Sequence, residues 1–175
     1  MMQKDTRRIE KHIAMIFRVG QKYFARQLRP WDVGAGMHPF LIELGRTPGI
    51  SQDELSMVMH VDKGTTARAV RKLIEQGFVS REVNPEDRRA YRLYLTSRGR
   101  EVIPVIFSSI SGWQDILLNG IEPSQREVII EGLNRMLDNA LDFFGKDPCR
   151  EKERLEEDQE DCPGSIMKEE LESEG

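Results

Sequence analysis

The sequence predicts a mainly α-helical protein with one small β-hairpin. Apolar residues recur at helical spacing through residues 6–28, 102–117 and 129–144. Two short amphipathic segments joined by a tight turn occupy residues 51–76. Alternating apolar residues follow on both sides of a polar turn, in residues 78–83 and 91–95. Long helices flanking a compact helix-and-hairpin centre are therefore expected.

Residues 51–77 have the signals of a helix-turn-helix. Ser51 followed by Glu54 predicts a capping box at the start of the first helix, and Asp62 can cap the second by accepting backbone N–H groups. Gly77 is placed to end the second helix in a left-handed conformation. The second helix is predicted to bury one stripe, formed by Thr66, Ala69, Val70 and Leu73. In such a motif, the second helix is the one that can enter a DNA major groove.

The outer face of that second helix is basic. No acidic residue lies between Asp62 and Glu75, whereas an ordinary solvated helix mixes charges of both signs. Side chains and backbone on this face can neutralise phosphates or donate to base edges. We therefore predict a DNA contact surface made of Lys63, Gly64, Thr65, Arg68, Arg71 and Lys72.

The hairpin carries further basic residues at its tip. Residues 84–89 have turn chemistry and include the adjacent pair Arg88 and Arg89. A projecting basic loop beside the second helix, a wing, is suited to phosphates or to a narrow minor groove. We expect both arginines to contact DNA and Asp87 to brace one of them through an ion pair.

At this point the chain resembles the MarR family of winged-helix transcription regulators. The resemblance covers most of residues 6–145. Its most specific element is the Asp-Arg-Arg wing at 87–89 followed by Leu-Thr-x-x-Gly at 95–99. Ser56 and Thr66 stand where the family usually has small or aliphatic residues, and Pro104 falls inside a helix that is normally unbroken.

The long terminal helices predict a homodimer. Each has an apolar face that a monomer of this size would struggle to cover, and a two-fold pair would bury these faces together. We predict a helical dimerisation domain from residues 1–32 and 105–145, a winged helix-turn-helix DNA-binding domain from residues 33–104, and an acidic, disordered tail from residues 146–175. Pro104 is expected to bend the helix that joins the first two.

The net charge of -4 conceals a difference in charge between the tail and the rest of the chain. Residues 146–175 hold 12 acidic and 5 basic residues, which leaves 18 acidic and 21 basic residues in the body. The body is therefore mildly basic, as a DNA-binding protein requires. The charged N-terminal segment does not have the pattern of a signal peptide, and no apolar run is long enough to span a membrane. We expect a cytoplasmic protein.

Nothing in the sequence favours an enzyme, a cofactor or a metal site. The three histidines, His12, His38 and His60, fall in three different elements, and no phosphate-cradling glycine pattern occurs. We interpret His38 and His60 as structural. Cys149 and Cys162 have no metal-ligand spacing, and we interpret them as incidental thiols.

The family resemblance also implies a small-molecule switch, often an aromatic anion bound between the helical domain and the winged helix. The residues here that could line such a cleft are Arg18, Trp31, His38 and Phe40. The competing interpretation is that Trp31 and Phe40 are packing residues and Arg18 is solvated.

These observations together predict a homodimeric regulator that binds double-stranded DNA, most simply a repressor acting on a pseudo-palindrome. Two alternatives remain open. One is an activator of the same fold, and the other is a winged helix that binds protein instead of DNA.

Overall fold

The computed structural model describes residues 3–84 and 91–143, with side chains from residue 8 onward. The described chain is mostly helical with one small antiparallel sheet, which confirms the predicted fold class. The chain divides into two compact units, and the boundary between them falls after Gly120. The predicted boundaries of the dimerisation and DNA-binding domains stay a prediction.

The first unit begins with helix α1, Gln3–Gln27. A short 3-10 helix at Arg29–Trp31 follows it and contains Pro30, which disfavours continuation of α1. Asp32 closes this turn with a φ of 60°. Helix α2 then spans His38–Arg46 with a proline in its first turn, where no N–H is required.

The centre of the unit contains the predicted helix-turn-helix. Helix α3, Gln52–Val58, starts at a complete capping box between Ser51 and Glu54. Helix α4, Lys63–Glu75, starts at Asp62 and is followed by Gly77 with a φ of 76°. Every cap inferred for these two helices from the sequence is confirmed.

Among the described residues, the sheet has three strands, one more than the sequence predicted. Strands β2, Val79–Val83, and β3, Tyr91–Leu95, are the expected hairpin. A two-residue strand β1, Ile50–Ser51, pairs antiparallel with the other edge of β3, so the order is β1-β3-β2. Two residues are too few to show a period of two, which explains why β1 was missed.

Helix α5, Ser97–Leu118, leads out of the hairpin. The Thr96 hydroxyl accepts a hydrogen bond from the N–H of Gly99 at 3.1 Å and caps the helix. The helix is continuous through Pro104. The expected bend at this proline stays a prediction.

The core of the first unit lies between α1, α2, the helix-turn-helix, the hairpin and α5. Each of these elements contributes buried hydrophobic side chains, and several side chains are fully buried. The largest are Leu28, Leu41, Leu44, Leu55, Leu73, Phe78, Val102 and Ile106. This shared core fixes the orientation of α4 relative to the hairpin.

The second unit contains helix α6, Pro123–Phe143, after a turn at Gly120 with a φ of 77°. None of its described residues is buried, although apolar side chains recur along one stripe. In the described residues, no helix combines the length and apolar character that a membrane crossing requires.

Candidate nucleic-acid interface

Helix α4 begins at a tightly held cap. The Asp62 carboxylate accepts a hydrogen bond from the backbone N–H of Thr65 at 2.9 Å. Hydrogen bonding with the Thr65 hydroxyl, and then with this N–H, keeps the pKa of the Asp62 carboxyl below its usual value. The carboxylate is therefore ionised at neutral pH and stabilises the positive end of the helix dipole.

The turn before α4 contains a left-handed residue, His60, with a φ of 48°. The N–H of Val61 donates to the Ser56 carbonyl at 3.1 Å, across the end of α3. The N–H of His60 donates to the Met57 carbonyl at 3.0 Å. These two bonds form a Schellman motif, in which glycine usually takes the left-handed position. His60 therefore belongs to the turn itself, in agreement with its structural interpretation.

The inner face of α4 is buried as predicted. Its four stripe residues, Thr66, Ala69, Val70 and Leu73, are at most 4% exposed. The hydroxyl oxygen of Thr66 is also buried, and among the described residues it has no hydrogen-bond partner. Because this side is packed so closely, α4 can present only the opposite side to a ligand.

The outer face of α4 carries Arg68 and Arg71, both exposed. Gly64 lies one turn before Arg68 on the same face and leaves the backbone accessible there. Glu75 is one turn beyond Arg71, at the last position of the helix. The basic part of the face is therefore the first two and a half turns, the part that enters a groove in helix-turn-helix proteins.

The two lysines lie at the edges of this face. The ε-amino group of Lys63 forms an exposed ion pair with Asp53 of α3, at 2.8 Å. The ε-amino group of Lys72 lies beside Gly34, only 2.7 Å from where a Cβ on that glycine would stand. Each lysine therefore has a contact within its own chain, which the sequence could not show.

Thr65 and Arg68 contact each other on the first turn of α4. Nη2 of Arg68 donates a hydrogen bond to Oγ1 of Thr65 at 2.9 Å. The Asp62 carboxylate accepts from the backbone N–H of the same threonine, so hydrogen bonds link Asp62, Thr65 and Arg68 along the exposed start of the helix. The structure thus brings together two of the predicted DNA-binding side chains and their helix cap.

The C-terminal end of α4 is clamped to the start of α5. The Thr96 hydroxyl donates to the carbonyl of Gly77 at 2.7 Å. Arg98 donates to the carbonyl of Gln76 at 2.8 Å, and its guanidinium lies 4.6 Å from the centre of the Phe78 ring. Helix α4, the start of the hairpin and α5 are therefore connected by hydrogen bonds at one point.

The body of the hairpin contributes a cation that sequence reasoning missed. Arg81 on β2 stacks on the ring of Tyr91, with 4.7 Å between the guanidinium carbon and the ring centre. A groove of about 660 Å³ lies between this pair and Arg71 of α4. The exposure of β2 beyond Val79 leaves Arg81 accessible. Only the first residue of β2 is buried, and the polar and charged residues that follow it in the sequence are the signal that could have identified Arg81.

The predicted wing residues Asp87, Arg88 and Arg89 lie outside the described residues. So does the acidic segment 146–175 with Cys149 and Cys162. Their assigned roles stay predictions.

The four residues predicted to line an effector cleft are placed in different environments. Arg18 is exposed, and Trp31 lies at 37% exposure in the 3-10 helix. Phe40 is buried in the core. His38 is buried and stacks on Phe24 of α1, with ring centres 4.3 Å apart. Phe40 therefore has the packing position of the competing interpretation, and the cleft itself stays a prediction.

The burial of His38 affects the ionisation of its imidazole. Burial lowers the pKa of its imidazole below the usual value. Its Nδ1 has no hydrogen-bond partner among the described residues. The ring is therefore neutral at physiological pH and acts as an aromatic packing group against α1.

Metal binding has no support in the described residues, where no group of three or more His, Cys, Asp or Glu side chains could hold an ion.

Known proteins are similar to this chain in the region of the capped helix α4 and the hairpin. The MarR family model matches residues 39–91, from α2 to the start of β3. The HTH-type transcriptional regulator BilQ of Clostridium symbiosum (strain WAL-14163) is 30% identical over 122 residues, covering 69% of this chain and 85% of BilQ. The chain belongs to the MarR family.

Further MarR-family proteins extend the similarity beyond the helix-turn-helix. The crystal structure of a MarR transcriptional regulator from Methanosarcina mazei Go1 has a TM-score of 0.72 and 39% identity. It covers 77% of this chain and 97% of that one. The uncharacterised HTH-type regulator YybA of Bacillus subtilis (strain 168) is 28% identical over 131 residues, covering 75% of this chain and 87% of YybA.

A mutant MarR from E. coli, solved in complex with operator DNA, shares the fold with a TM-score of 0.69. It is 21% identical and covers 78% of this chain and 99% of that one. MarR-family proteins are transcription regulators and not enzymes. The chain is therefore a transcription regulator with a DNA-binding fold.

Proposed function

We propose that this MarR-family protein is a repressor that binds a pseudo-palindromic operator as a homodimer. The observation that carries the proposal is the outer face of α4. It exposes Arg68 and Arg71 while the opposite stripe is packed into the core. Cations held on a rigid helix supply both phosphate neutralisation and donors for base edges. The E. coli relative solved with operator DNA supports the same use of this fold.

Exposed apolar side chains support the homodimer. In the first unit, the N-terminal half of α1 exposes its whole apolar stripe at 46–63%, formed by Ile9, Ile13, Ile16 and Phe17. In the second unit, α6 exposes Val128, Ile130 and Leu137 by more than half. An exposed apolar stripe on each of these helices favours association. A second copy of the chain would cover it with two-fold symmetry, and a two-fold protein reads a palindrome.

Repression is the simplest outcome of such binding. A dimer occupying two half-sites about one helical turn apart blocks access to a promoter. An activator of the same fold would bind the same way, and the position of its site relative to the promoter distinguishes the two. A protein-interaction module is disfavoured, because loss of the arginines on the DNA-facing side of the helix would have supported it, and Arg68 and Arg71 are both present and exposed. A regulator of promoter DNA acts in the cytoplasm.

Release by a small aromatic or anionic ligand completes the proposal. The candidate ligand-binding residues lie on α1 (Arg18), in the turn after it (Trp31) and at the start of α2 (His38). A ligand bound among them would alter the spacing of the two winged helices in a dimer. DNA fixes the half-site spacing, so a small shift lowers affinity. A tenfold release requires about 1.4 kcal/mol of coupling.

Footprinting of the purified protein on the DNA upstream of its own coding sequence tests DNA binding. We expect one protected, roughly palindromic segment that overlaps promoter elements, and sedimentation at the mass of a dimer. Absence of protection, or binding as a monomer, contradicts the proposal. Protection upstream of the promoter together with increased transcription in vitro would establish the activator instead.

Titration of the protein–DNA complex with salicylate tests the effector cleft, with Arg18→Ala as the matched variant. We expect salicylate to release wild-type protein and to act more weakly on the variant. Identical responses would show that Arg18 is not the anion partner.

A further inference from the structure

We propose that Thr65 is a positioning residue whose hydroxyl holds Arg68 in the orientation that reads a guanine. This inference rests on the proposed DNA-binding function and deepens it. It assigns different roles to two residues that the sequence grouped together as DNA contacts.

The first step is the direct bond between the two side chains. Nη2 of Arg68 donates to Oγ1 of Thr65 at 2.9 Å, across one turn of α4. Arginine carries long, flexible methylenes, and ordering them on binding costs conformational entropy. A side chain already held in place loses less on binding DNA, so this bond pre-organises Arg68.

The second step is how Thr65 itself is held. Its backbone N–H donates to the Asp62 carboxylate at 2.9 Å, which fixes the residue at the start of α4. Its hydroxyl oxygen accepts from Arg68 at 2.9 Å, so the hydroxyl is engaged within the protein. We therefore assign the Thr65 hydroxyl to Arg68 and not to a base.

The third step concerns what remains available on Arg68. One N–H is bound to Thr65, and the rest of the planar guanidinium is exposed to solvent on the outer face of α4. Paired N–H groups of arginine match the O6 and N7 acceptors of guanine in the major groove, the most common specific contact between protein and DNA. The Asp62–Thr65–Arg68 chain therefore favours guanine recognition at the position that the first turns of α4 reach.

The experiment compares Thr65→Val, Thr65→Ser, Arg68→Ala and the double variant Thr65→Val/Arg68→Ala in the full-length protein. The probe is the DNA duplex that wild-type protein selects from a randomised library, paired with a duplex of scrambled sequence. Valine has the shape of threonine without its hydroxyl, and serine keeps the hydroxyl. Thermal unfolding of each variant monitors the helix cap.

We expect Thr65→Val to lower the preference for the selected duplex about tenfold, with little change on scrambled DNA. Thr65→Ser should retain the preference, and Thr65→Val should have no further effect when Arg68 is alanine. Replacing the key guanine by 7-deazaguanine should reduce binding of the wild type and leave Arg68→Ala unaffected.

Two results overturn the inference while leaving the proposed function intact. One is that the wild type prefers the selected duplex and Thr65→Val keeps the same preference. The other is an additional loss from Thr65→Val in the Arg68→Ala background, which would show that Thr65 reads DNA itself. A wild type without any sequence preference would overturn the proposed function, and the inference with it.

Discussion

The backbone of Gly99 in α5 lies against the carbonyl oxygen of Phe78, so close that a Cβ on Gly99 would overlap that oxygen. The same carbonyl accepts a hydrogen bond from the N–H of Thr96 at 2.9 Å. This contact explains the Leu-Thr-x-x-Gly pattern at 95–99 physically. The threonine caps α5, and the glycine lets the helix approach the strand that follows α4.

Replacing Gly99 by alanine should destabilise the fold. The added methyl group meets backbone, which cannot move aside cheaply, and we expect a loss of about 2 kcal/mol or more in the free energy of unfolding. Gly45→Ala in α2 is the matched control, because its added Cβ makes only ordinary contacts. The control should be neutral or slightly stabilising. Equal urea-unfolding midpoints for both variants would contradict this account.

Thr66→Val should stabilise the protein. The buried hydroxyl of Thr66 has no hydrogen-bond partner among the described residues, so valine removes a desolvation cost while preserving the shape. We expect a gain of about 1 kcal/mol, measured by urea unfolding. Ser56→Ala provides the contrast, because the Ser56 hydroxyl donates to the Asp53 carbonyl at 2.7 Å and its removal should be destabilising. A less stable Thr66→Val would show that this hydroxyl is satisfied in solution.

Stability should depend on pH through His38. Its pKa is lowered by burial, so the unfolded chain binds a proton at a higher pH than the folded one does. The contribution from neutral His38 is fully present above its unfolded pKa of about 6.5, and it is lost as pH falls through the lower folded value. We expect the free energy of unfolding to decrease in that window by at most about 1.4 kcal/mol per pH unit. His38→Gln should flatten this slope, and an unchanged slope in this variant would contradict the account.

The basic residues of α4 should contribute unequally to DNA affinity. Arg68→Ala should cost roughly 1–3 kcal/mol on the specific site and less on random DNA. Lys72→Ala should cost less than Arg68→Ala or Arg71→Ala, because the Lys72 amino group lies beside Gly34 at the edge of the outer face. Fluorescence anisotropy with the selected duplex would measure all three. Equal losses would mean that Lys72 turns outward when DNA binds.

Substitution of both Arg88 and Arg89 by alanine should weaken DNA binding. If the wing contacts phosphates or the minor groove, the logarithmic salt dependence of affinity should become shallower by about one to two units. Titrations at several salt concentrations measure this slope. An unchanged slope would show that the wing tip stays off the DNA.

Local chemistry fixed much of the described fold in advance. The caps at Ser51, Asp62 and Thr96, and the left-handed Gly77, each depend on residues a few positions apart. The stripe from Thr66 to Leu73 depends only on helical periodicity. Such features follow from the sequence because both partners are neighbours along the chain.

Only the tertiary structure shows which residues far apart in the sequence contact one another. The pairing of β1 with β3, the stacking of His38 on Phe24 and the position of Lys72 beside Gly34 all join segments far apart in sequence. The sequence could not show which basic residues on the exposed face of α4 are free to bind DNA. An arginine on the correct side of a helix has many rotamers, and only its packed neighbours decide whether it is free, paired or pre-organised. The sequence alone therefore determined which face of α4 is basic, and the folded chain decided that Arg68 is held by Thr65 while Lys63 is paired with Asp53.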